Sequence, residues 1–150
     1  MSRLPSSRVG GLVAVLLALA VAGCTSHRWS SAGTADETVT LAVANDGAEV
    51  LRCTILFGHW VEQGAGTVAP GDVLAVEFRR QESDGALYVP RYDGRKMMVE
   101  NLICGPLAQW WERRADIPLL PLRAGTAQRF QASCRIMDRA TCTLPAAVKS

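Results

Sequence analysis

From residue 38 onward the apolar positions recur every second residue, and that alternation restricts the chain to β structure more than any other feature. Val39, Leu41 and Val43 alternate with Thr38, Thr40 and small residues, and Leu51, Cys53, Ile55 and Phe57 alternate with Arg52 and Thr54. A strand turns successive side chains to opposite faces, so this spacing buries one face and wets the other. Asn45-Asp46-Gly47 separates the two runs, as a turn between strands requires. A glycine-rich loop is expected over residues 63–66, followed by a turn at Pro70-Gly71 and a third strand carrying Leu74, Val76 and Phe78. Residues 86–89 make a short fourth strand, which Pro90 is expected to confine to a sheet edge because proline cannot donate to a ladder.

Residues 96–104, KMMVENLIC, pose a conflict: in a regular strand, an inward Cys104 carries Glu100 inward with it. An unpaired buried carboxylate is costly, which leaves an Arg partner, a bulge that resets the alternation, or a helix. A strand with a bulge is the expectation. A short helix is expected near residues 106–114, with Pro106 at its first turn. Pro118 and Pro121 point to extended chain over residues 117–122. Phe130, Ala132, Cys134 and Ile136 form a last strand, from which a hairpin returns through Cys142. The fold expected is mostly β, a small antiparallel β-sandwich over residues 38–145, disulfide-bonded, with residues 146–150 as a C-terminal tail. The segments V-A-N-D-G at 43–47, L-R-C at 51–53 and V-A-P-G-D-V-L-A-V-E-F at 68–78 resemble immunoglobulin-like envelope modules. That resemblance implies architecture only, and the chain departs from true immunoglobulin domains in placing Trp60 seven residues after Cys53 and Leu102, not Tyr, two before Cys104.

Ahead of the β region, MSRLPSSR carries Arg3 and Arg8, and residues 9–23 carry no charge. A positive segment followed by a short apolar one is the pattern of an export signal. Spanning a bilayer as a helix takes roughly 20 apolar residues, more than this run supplies. Val21-Ala22-Gly23-Cys24 is similar to the lipobox of bacterial lipoproteins. The resemblance implies removal of residues 1–23, a diacylglycerol on the Cys24 thiol, and an acyl chain such as palmitate on the new amino group. Residues 24–37, rich in Ser, Thr and Ala, then read as a flexible tether reaching at most about 45 Å. Thr25, in place of the Asp that resembles an inner-membrane retention signal, points to the outer membrane, periplasmic face.

Losing the signal also removes Arg3 and Arg8 from the 16 Lys and Arg, leaving 14 against 14 Asp and Glu. A neutral chain gives no electrostatic case for nucleic acid. With Cys24 assigned to lipid, Cys53, Cys104, Cys134 and Cys142 remain, an even set that reads as two disulfides in an oxidising compartment. Three pairings are open. The short loop RIMDRAT favours Cys134 with Cys142 across a hairpin, leaving Cys53 with Cys104.

Catalytic constellations are not apparent, and the chain is not expected to be an enzyme or to hold a cofactor. His59 is the only histidine of the expected domain, and no G-x-S-x-G elbow accompanies its few serines. Trp60, Trp110 and Trp111 with Arg113 and Arg114 are candidate partner-binding residues, since Trp and Arg are enriched at interface hot spots. His59, Met97 and Met98, with Met137, provide the soft and imidazole ligands that copper prefers. The expected function is a membrane-anchored, non-catalytic accessory that contacts an envelope protein, with copper or small-ligand carriage as the alternative.

Overall fold

In the computed structural model, which describes residues 36–148, the alternating runs become strands. The first half contains β1 (Glu37–Asn45), β2 (Leu51–Phe57), β3 (Val61–Val68), β4 (Val73–Arg80) and β5 (Leu87–Pro90). The second contains β6 (Lys96–Pro106), α1 (Trp110–Arg113), β7 (Ala115–Ile117), α2 (Leu120–Ala124), β8 (Arg129–Ile136), β9 (Ala140–Cys142) and β10 (Ala146–Ala147). The signal segment, Cys24 and the tether up to residue 35 lie outside the described residues.

The strands follow one hydrogen-bonded path, β10-β8-β1-β4-β5-β6-β2-β3, with β7 added to β6 and β9 to β8. This differs in two ways from an antiparallel sandwich of two separately bonded sheets. β1 and β8 run parallel, and β6 joins the two halves of the path. At 11 residues, β6 is long enough to pair with β5 through residues 96–98 and with β2 through residues 99–106. Val39, Leu41 and Phe78 from one half and Leu51, Ile55 and Leu102 from the other meet in a single buried cluster.

The conflict at Glu100 is resolved by a bulge. Leu56 pairs with Asn101 and Phe57 with Val99, so Glu100 is the extra residue and stays exposed while Val99 and Leu102 are both buried. A bulge leaves carbonyls without ladder partners, and Arg123 of α2 donates to the carbonyls of Val99 at 2.7 Å and Glu100 at 3.2 Å.

Several expectations are corrected, Pro106 among them: it closes β6, and the short helix begins at Trp110. Residues 63–66 belong to β3, where Gly64 and Gly66 sit on an edge strand paired with β2 through a second bulge. β5 is interior to the path, with Pro90 tolerated because it is the last residue of the strand. The proline-rich segment is not wholly extended: Leu120–Ala124 is helical with Pro121 in the first turn, where a missing N–H costs nothing. Pairing also reaches Ala147, so part of the expected tail adds a two-residue strand to β8.

Both disulfides form in the favoured pairing. Cys53–Cys104 ties β2 to β6 at directly opposed positions, and Cys134–Cys142 ties β8 to β9. A third cross-link is ionic. Arg80, only 5% exposed, pairs with Glu37 on the neighbouring strand and donates to the carbonyl of Leu122 at 2.7 Å. Hydrogen bonding from Arg80, then from Gln128, holds the Glu37 carboxyl below its ordinary value of 4.5. A lowered folded pKa stabilises the fold above the unfolded value and loses that contribution as pH falls through the folded one. Thermal melts of wild type and Glu37→Gln are therefore expected to diverge in slope below about pH 5, the variant showing the shallower acid loss.

Candidate interaction surfaces

The sequence-predicted aromatic and basic residues are divided between two ends of the domain. β1 runs from Glu37 to Asn45, and at about 3.3 Å per residue its ends lie about 26 Å apart. The loop following Asn45 marks one end, and Asp36 marks the other.

At the Asn45 end, α1 lies over the start of β2. Gly105 permits this close approach: a Cβ there would stand 2.9 Å from the Cα of Arg114 and 3.1 Å from the carbonyl oxygen of Trp110. Trp110 is 8% exposed, and its Nε1 donates to the carbonyl of Arg52 at 3.1 Å. It is a packing residue, and its expected role as a contact residue is corrected. Arg113 is likewise committed within the fold: it donates to the carbonyls of Met137 at 2.6 Å and Asp138 at 2.8 Å, and pairs with Glu49 at 3.2 Å. Trp111 and Arg114 remain for contact. Trp111 is 60% exposed, and the Arg114 guanidinium lies 3.9 Å from its ring centroid. They border an open hollow of about 450 Å³ whose lining also includes Glu112, Asp116 and Arg139.

The two neighbouring tryptophans are thus chemically alike and structurally opposed. Trp110→Ala is expected to cost about 3 kcal/mol, as a buried aromatic truncation does, and Trp111→Ala less than about 0.5 kcal/mol. Urea unfolding of the two variants checks this directly.

At the Asp36 end, two hairpin tips carry the exposed groups. The β2–β3 turn, Gly58–Trp60, places His59 and Trp60 at φ values of 63° and 61°. Paired positive φ values are what a two-residue hairpin turn of the I′ type needs, and Asn-Gly is the pair that adopts them without strain. A bulky residue in this region costs about 1 kcal/mol or more. Trp60 is nevertheless 87% exposed, so no packing of its own ring offsets that cost. The β5–β6 turn presents Tyr92, 95% exposed. Val61 and Tyr92 line one cleft of about 410 Å³ with Phe57, Pro90, Arg91 and Met97.

His59 and the start of β6, with Met97 and Met98, share this end. Met97 packs against the core, whereas the backbone of Met137 is bound by Arg113 at the opposite end. Among the described residues, no three of His, Cys, Asp and Glu are grouped as a metal site would need.

No protein-family profile matches the chain, and no curated protein matches it. Among solved structures, an NMR structure of a protein from Eubacterium rectale superposes with a TM-score of 0.42 and 10% identity, covering 74% of this chain and 91% of that one.

Proposed function

We propose that this chain is a bacterial lipoprotein, cut before Cys24 and acylated there, held at the outer membrane facing the periplasm. Its β domain, with the character of a small sandwich module, works by contact with another envelope protein and performs no catalysis. The observation that carries the reading is the pairing of Trp111 with Arg114. An exposed indole stacked on a guanidinium is held on a helix whose neighbouring tryptophan is locked into the core. Such a group presents a large rigid surface at little entropic cost, which is the property of interface hot spots. The lipobox resemblance and the neutral mature charge support the location.

A photo-crosslinking amino acid in place of Trp111, compared with one in place of the exposed Val73 on β4, tests the contact in intact cells. A discrete adduct is expected from position 111 and not from 73, with Arg114→Ala reducing its yield about tenfold. Equal and diffuse labelling from both positions contradicts the reading.

A further inference from the structure

We infer that the Asp36 end of the domain rests on the bilayer, with Trp60, Val61 and Tyr92 seated in the lipid headgroup interface. The inference rests on the lipoprotein reading for the source of the tether, and on geometry for the choice of surface. Lys96, at the base of the β5–β6 hairpin, holds the Asp36 carboxylate at 2.6 Å. The chain therefore enters the domain beside the tips that carry Tyr92 and Trp60. Asp36 stands only 12 positions after Cys24 in the sequence, a reach of at most about 42 Å. An acyl group at Cys24 tethers the domain by this end, within that reach of the membrane.

What stands at this end suits lipid. Trp and Tyr prefer the bilayer interface, where an apolar ring meets hydrocarbon and its polar edge stays wet. Here one comes from each of two adjacent hairpin tips, and Val61 lies beside them, also exposed. The strained turn has a reason in this setting: the residue held at a φ of 61° carries a ring that stands almost wholly exposed. The nearby charges do not make an electrostatic site. Asp93 accepts hydrogen bonds from Arg95 and lies 3.8 Å from Arg91, while Lys96 is paired with Asp36. Glu62 and Glu100 add negative charge at the same end. The contact is therefore aromatic, and it is expected to be equally strong on zwitterionic and anionic lipid and insensitive to salt. Seating this end on lipid points the Trp111–Arg114 face away from the membrane, toward a periplasmic partner.

Depth-dependent fluorescence quenching tests the inference. Full-length mature protein, its acylation checked by mass spectrometry, is reconstituted in phosphatidylcholine vesicles with and without brominated acyl chains. The emission assigned to Trp60, by difference from Trp60→Phe, is expected to lose about half its intensity to bromolipid, and that of Trp111 to be unchanged. The double variant His59→Asn/Trp60→Gly, which suits the turn better, is expected to melt no lower than wild type and to lose the quenching. If Cys24 proves unmodified, the lipoprotein reading fails. The same proteins are then tethered by an N-terminal hexahistidine to nickel-chelating lipid, which supplies the same local concentration. Quenching of Trp60 in either tethered form supports the inference. A Trp60 left unquenched when tethered, or shielded from aqueous acrylamide only after envelope proteins are added, overturns it.

Discussion

Replacing Cys53 and Cys104 together by alanine is expected to lower the unfolding free energy by about 4 kcal/mol or more, the largest loss available from one covalent change. The bridge closes a loop with a sequence separation of 51 and lies between β2 and β6, both sulfur-bearing residues being fully buried. The bridge lies within the β2–β6 ladder, five residues beyond the point where β6 passes from β5 to β2, so losing it loosens the hold of β2 and its neighbour β3 on the rest of the strand path. A domain of ordinary stability has about 5–15 kcal/mol to lose, so the variant should stay folded in buffer while spending a large share of its stability and unfolding at much lower urea than wild type. The companion pair Cys134→Ala/Cys142→Ala closes a loop with a separation of only 8 and is expected to cost about 2–3 kcal/mol. Urea unfolding under non-reducing conditions measures both, and the order of the two losses is the point at issue.

Asn45→Asp is expected to cost about 3 kcal/mol or more through a different mechanism. Asn45 is fully buried; its Nδ2 donates to the carbonyls of Glu49 at 2.8 Å and Val68 at 2.9 Å, and its Oδ1 accepts from the Gly47 N–H at 3.0 Å. A carboxylate at this position keeps the acceptor and loses both donations, leaving two carbonyls facing a buried negative charge. The effect should extend beyond stability. Glu49, whose carbonyl Asn45 holds, also pairs with Arg113 beside Trp111. Loss of crosslinking at position 111 is therefore expected at temperatures where the variant remains folded, and denaturant titration followed by the crosslinking assay checks both.

Much of the fold was legible because its signals are local. Period-two alternation placed β1, β2, β4 and β8, and an eight-residue spacing placed Cys142 across a hairpin from Cys134. The bulge in β6 was also readable, since Glu100 could not share the face of Cys104 without a carboxylate in the core. Elements that depend on partners distant in sequence were not legible. β3 carries Gln63, Gly64 and Gly66, which look like a loop, and it becomes a strand because β2 offers it a ladder. Pro121 argues against a helix by its type alone, yet a proline in the first turn loses only an N–H that has no helical partner. Trp110 and Trp111 are adjacent and identical in composition, and the carbonyl of Arg52, 58 residues from Trp110, decides which of them is buried. The polarity of the domain was equally hidden, because it depends on the ion pair between Asp36 and Lys96. That contact places the start of the domain beside Tyr92 and Trp60, and leaves Trp111 at the far end.

Mass spectrometry of the intact protein extracted from the membranes of a producing bacterium, without reductant, tests the central claim most directly. A polypeptide beginning at Cys24 is expected, heavier by a diacylglyceryl group and an N-linked acyl chain and lighter by the four hydrogens of two disulfides. A mass matching an unacylated chain, or one still carrying residues 1–23, would contradict it.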